Sequence, residues 1–131
     1  MGLDLSAGNK ILTQVSYEAA NNQADFSVLN LTTGQGRTST ESLNGTWYDG
    51  STGDFIDERP FNGTFEHLQN FGQVGWNLSQ VQVGSTGSWS NLGAESHVRT
   101  TMVEASTTLA HASDLSDPNS FTDNWDACSG N

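Results

Sequence analysis

Apolar residues in this chain recur at every second position and never hold a 3.6-residue period long enough to form a helix of consequence. In Lys10–Tyr17, Ile11, Val15 and Tyr17 share one face. In Ala24–Leu31, Phe26 and Val28 point one way and Leu29 and Leu31 the other. Val81 and Val83 alternate with Gln80 and Gln82, Val98 and Met102 with Arg99 and Thr101, and Phe121 leads a last strand towards Trp125. Turn-forming clusters separate these runs at Asn21-Asn22, Thr33–Gly36, Asp49–Gly53 and Gly84–Gly93. The last of them predicts a long mobile loop carrying one exposed aromatic, Trp89. Short alternating strands with turn chemistry between them predict an all-β, antiparallel sandwich or barrel. With no repeat and no linker, residues 1–131 are expected to form one domain, loose only at 1–4 and 126–131.

One run carries candidate chemistry. In Gly53-Asp54-Phe55-Ile56-Asp57-Glu58-Arg59-Pro60, an extended backbone puts Asp54, Ile56 and Glu58 on one face and Phe55 and Asp57 on the other. Carboxylates four residues apart on a strand lie roughly 13 Å from each other, too far to share a proton or to act as a glycosidase pair. Glu58 is therefore no immediate partner for Asp54. A lone catalytic carboxylate needs a second group from elsewhere to stabilise an oxyanion.

Charge narrows the partners. Fifteen acidic side chains face four basic ones, for a formal net charge of −11. Such a surface repels phosphate backbones and anionic membranes, so neither nucleic acid nor membrane is an expected partner. A polar, weakly charged, acidic chain suits a secreted protein that stays folded in acid, where its carboxylates are neutral and few cations repel one another. The single cysteine, Cys128, excludes an intrachain disulfide. Met1–Leu5 has none of the regions of a signal peptide. Four Asn-x-Ser/Thr sequons begin at Asn30, Asn44, Asn62 and Asn77, and the Asn-Gly pairs at 44 and 62 are also favoured hairpin turns.

Other site classes are not supported. His67, His97 and His111 lack metal-ligand spacing, and Asp49–Asp54 lacks the ligand series of a calcium loop, so no metal is expected. No Gly-x-Ser-x-Gly elbow and no phosphate-cradling glycine loop is present, which leaves no cofactor motif. Trp47 and Trp89 remain as aromatic faces for a peptide or glycan, with Trp76 and Trp125 expected in the core.

Several segments, taken in order, resemble the C-terminal part of the eqolisin (glutamic) peptidases. These are Leu5-Ser6-Ala7-Gly8-Asn9 before an alternating strand, Asn30-Leu31-Thr32-Thr33-Gly34-Gln35, Phe55-Ile56-Asp57-Glu58-Arg59-Pro60, Asn70-Phe71-Gly72-Gln73-Val74, Met102-Val103 and Ser120-Phe121-Thr122. The resemblance implies a two-sheet β-sandwich, like that of legume lectins and glucanases, lacking the family's N-terminal strands. It also implies a secreted, acid-active endopeptidase in which a Glu is general base towards water and a Gln amide holds the oxyanion.

Two departures stand out. The family's Glu falls on Asp54, whose carboxylate is one methylene shorter, and the strand bearing the family's Gln precedes the matched region. The resemblance therefore implies Asp54 at the catalytic position and no hydrolysis by this chain alone, and Trp47, Phe55, Glu58 and Trp89 are the candidate substrate contacts. A second copy of the chain, or a separate N-terminal chain, would complete the sandwich. Two other functions fit the same residues: a non-catalytic peptide- or glycan-binding module, and a self-assembling extracellular protein.

Overall fold

The computed structural model describes residues 3–45, 48, 53–59, 61–82, 84 and 87–128. Its described residues form nine strands in antiparallel sheets, with a single three-residue 3-10 turn at Leu92–Ala94. They divide into two compact units, residues 1–51 and 52–131.

The first unit is a meander of three eight-residue strands, β1 (Ile11–Glu18), β2 (Gln23–Asn30) and β3 (Gln35–Ser42), in that spatial order. Both pairings run without a register shift, from Ile11 opposite Asn30 to Glu18 opposite Gln23, and from Gln23 opposite Ser42 to Asn30 opposite Gln35. That register puts Ile11, Val15 and Tyr17 on the same face as Ala24, Phe26 and Val28. The sequence predicts β1 and β2 but not β3, a Thr- and Ser-rich run with no apolar alternation to betray it.

The β2–β3 turn is organised by Asn30, which is completely buried. Its side-chain oxygen accepts the amides of Thr32 (3.0 Å) and Thr33 (3.2 Å), while its amide donates to Asn9 Oδ1 (2.8 Å) and the Asp4 carbonyl (3.2 Å). Gly34 closes the turn at φ +74°, where a side chain would be strained, and its amide donates to the Asn30 carbonyl at 2.7 Å. The first sequon is thus a folded hub with every polar atom of its side chain engaged, and not an exposed glycan acceptor.

The second unit contains a four-stranded sheet, ordered β4 (Gln73–Trp76), β9 (Phe121–Trp125), β8 (Thr107–Ala112), β7 (Thr101–Glu104). It also contains a two-stranded ribbon of β5 (Gln80–Gln82) and β6 (Trp89–Asn91). The ribbon corrects the expected long loop over Gly84–Gly93. Trp89, Ser90 and Asn91 pair with Gln82, Val81 and Gln80, and the 3-10 turn follows directly. Gly93 makes that turn dock: its amide donates to the Pro118 carbonyl at 2.7 Å, and a Cβ there would stand 2.9 Å from the same oxygen.

The core of this unit gathers around Leu109, whose relative exposure is 0%, with Leu68 and Ala110 beside it and Phe71, Met102 and Trp125 packed on them. The β7–β8 register shifts between Met102 and Val103, so Met102 faces Ala110, Val103 faces Thr108, and Leu109 is the extra residue. A bulge of this kind frees backbone groups from the ladder and turns its residue towards the core. The Leu109 carbonyl accepts instead from the amides of Asp126 (2.8 Å) and Ala127 (3.2 Å), which ties down residues the sequence assigns to a loose end.

Candidate active site

Residues 53–59 lie outside any ladder or helix among the described residues. The alternation read from the sequence holds. Asp54, Ile56 and Glu58 are exposed, whereas Phe55, Asp57 and Arg59 are turned inward and half-buried. Two contacts pin the inward side to the four-stranded sheet. The Phe55 ring meets Trp76 edge-on, centroids 5.9 Å apart, and Trp76 stacks on its cross-strand neighbour Phe121 at 5.8 Å. Arg59, its side chain only 10% exposed, pairs through Nη1 with Glu104 Oε1 on β7 at 2.9 Å. Its Nε also donates to the Glu66 carbonyl at 2.8 Å, and its guanidinium lies 5.2 Å from the Phe65 ring centroid.

Between these anchors sits Asp57. It borders a cavity of about 220 Å³ lined also by Ile56, Met102, Ala110, His111 and Asp123. Asp123 is 8% exposed, and its Oδ2 accepts the Trp76 indole N–H at 2.6 Å. Asp57 and Asp123 line the same cavity, and the Asp57 pKa is pushed up from 3.8 to about 6. Burial is the largest cause, followed by the negative charge of Asp123 and the hydrogen bond between the two. Neither member was singled out from the sequence. The legible signal was period-two phase: Asp57 stands inward after Phe55, and Asp123 stands between Phe121 and Trp125 on one face of β9.

A wider, open depression of about 710 Å³ is lined by His97, Arg99 and His111. Its basic groups already have partners, Arg99 with Asp114 at 3.1 Å, His111 Nδ1 with Asp126 at 2.6 Å and His97 Nδ1 with the Glu95 carbonyl at 2.9 Å. Among the described residues, no three His, Cys, Asp or Glu side chains converge on a metal position.

The fold of this chain has a known counterpart. It matches the crystal structure of aspergilloglutamic peptidase from Aspergillus niger at a TM-score of 0.77 and 22% identity, over 94% of this chain and 69% of that one. The fold is that of an eqolisin peptidase. The all-β, antiparallel, eqolisin-like β-sandwich expected from the sequence is therefore the fold this chain has. No family model matches the sequence, and no curated protein matches it either. No helix among the described residues is long and apolar enough to cross a membrane.

On this eqolisin-like scaffold the expected site residues lie as follows. Asp54 is exposed and has no hydrogen-bond or ion-pair partner among the described residues. Glu58 is exposed on the same side of the segment. Phe55 turns the other way, onto Trp76. Trp89 presents a half-exposed ring from β6, with no hydrogen bond or ring contact to residues 53–59 among the described residues. Trp47 lies outside the described residues. Trp76 and Trp125, expected in the core, are both half-buried.

Proposed function

We propose that this chain is a secreted, acid-tolerant peptide-binding scaffold of the eqolisin type, with Asp54 at the general-base position, that does not cleave peptides by itself. The observation that carries the reading is the mounting of Asp54. It is an exposed carboxylate on a segment fastened at Phe55 and Arg59, in a fold shared with a glutamic peptidase.

A carboxylate so placed takes a proton from water as that water attacks a carbonyl carbon, and needs a neutral donor opposite to hold the oxyanion. An Asp in place of a Glu draws the base back by roughly one methylene, and misplacement by about 1 Å costs on the order of a hundredfold in rate. Glu58, on the same side, is the contact for peptide residues bound along the segment.

The test uses the purified chain and an unfolded protein substrate at pH 3–4. Saturable binding with no new amino termini is the expected result. Cleavage that Asp54→Asn abolishes would replace this reading with a self-sufficient peptidase, and neither binding nor cleavage would end it. A second reading, a lectin-like binding module, is favoured by Trp89, which is 50% exposed although it lies in a strand. In that case Trp89→Ala weakens binding and Asp54→Asn does not.

A further inference from the structure

We propose that Asp57 and Asp123 form a proton-sharing carboxyl pair that clamps the middle of the 53–59 segment onto β9 in acid and releases it towards neutrality. The two carboxyls belong to different elements, the 53–59 segment and β9, and meet at the cavity beneath the segment. No N–H or O–H donor among the described residues reaches the buried Asp57 Oδ2. Asp123 is nine-tenths buried and already accepts the Trp76 indole proton. Two ionised carboxylates facing each other there repel, with nothing between them to neutralise the second charge. With one proton between them, the Asp57 hydroxyl donates to the Asp123 carboxylate and both buried groups are satisfied.

The neighbouring charges do not replace that proton. His111 on β8 borders the cavity, but its Nδ1 is held by Asp126. Arg59, two residues along the segment, is engaged by Glu104 on β7 and by the Glu66 carbonyl. Glu58 points outward and Asp54 lies three residues back on the exposed side. When the pH rises, the shared proton leaves to water, the charges separate, and the middle of the segment lifts while Phe55 and Arg59 still hold its ends.

For the proposed function this would make the mounting of Asp54 dependent on acid. That consequence rests on Asp54 being the reactive carboxylate; the clamp does not. The raised pKa of Asp57 agrees with the geometry, since burial and the Asp123 charge both favour the protonated form.

The experiment is carbon-13 carboxyl titration together with nitrogen-15 relaxation on the full chain. The expected Asp57 midpoint lies well above the ordinary carboxylate range. Order parameters of residues 54–58 are expected near the rigid value of about 0.85 at pH 4.5 and to fall towards about 0.6 at pH 7.5. Those of β2 should not move, which serves as the internal control. Asp57→Asn, whose amide donates to Asp123 at every pH, should keep the segment rigid at both. An ordinary midpoint for Asp57, or the same pH profile in Asp57→Asn as in the unaltered chain, overturns the clamp. The titration needs no variant, so it decides even if Asp57→Asn fails to fold. Neither measurement reads binding or cleavage, so a chain without activity leaves the clamp tested in its own right.

Discussion

The meander of the first unit and the four-stranded sheet of the second are built from the same hydrogen bonds and spend them differently. The meander has long strands, uninterrupted register and almost no interior: β3 is exposed throughout, and Val15 in β1 is 65% exposed. The four-stranded sheet has short strands and a bulge, yet it holds Leu109, Ala110, Phe121 and the buried Asp123. A regular ladder therefore does not imply a core. Burial follows where the ladder breaks, because a bulged residue can turn inward and a freed carbonyl can recruit a neighbouring segment. The candidate chemistry sits on the irregular side for the same reason. Among the described residues, it is there that an inward position is deep enough to desolvate a carboxyl.

This contrast makes graded predictions. The largest effect is expected from Leu109→Ala, which empties the best-packed position and should cost about 3 kcal/mol by chemical denaturation. A cost comparable to an exposed substitution would mean the bulge organises no core. Next comes Asn30→Ala, about 2 kcal/mol, because four hydrogen bonds at a buried hub are lost and the amides of Thr32 and Thr33 are left unpaired. At this buried position the meander should behave like the other unit. Trp76→Phe keeps the ring stack but removes the indole donor from Asp123, for about 1–2 kcal/mol. Val15→Thr, on the exposed face of the meander, should change stability by less than about 0.5 kcal/mol.

The same contrast has a pH dimension. Asp57 binds its proton more tightly folded than unfolded, so its contribution to stability is complete below about pH 4 and is lost as the pH rises through about 6. Unfolding midpoints measured across that window should fall in the unaltered chain and fall less in Asp57→Asn. Equal slopes in the two proteins would show that the decline comes from overall charge repulsion instead.

What was legible in the sequence follows the strength of the local signal. Phe121–Trp125 and the first two strands announce themselves because apolar side chains mark alternate positions. β3 is written in Gln, Gly, Arg, Thr, Ser and Glu and owes its place to pairing with β2, so no apolar pattern within it could reveal a strand. β6 was hidden inside a glycine- and serine-rich stretch that reads as loop until Gln80–Gln82 supplies its partner. At the site, phase was readable and identity was not. Alternation separated Asp54 and Glu58 from Phe55 and Asp57, and the structure turns the first two outward and the other two inward. Nothing local marks the role of the inward Asp57, because its partner lies 66 residues further along the chain.

The sequence by itself determined the class of fold, the acidic character and the two faces of the 53–59 segment, because period-two alternation and charge count are local quantities. Tertiary structure alone decided what the inward face meets. Asp57 acquires its chemistry from the neighbour it is folded against and from the water it loses there, and neither is a property of the residues that flank it.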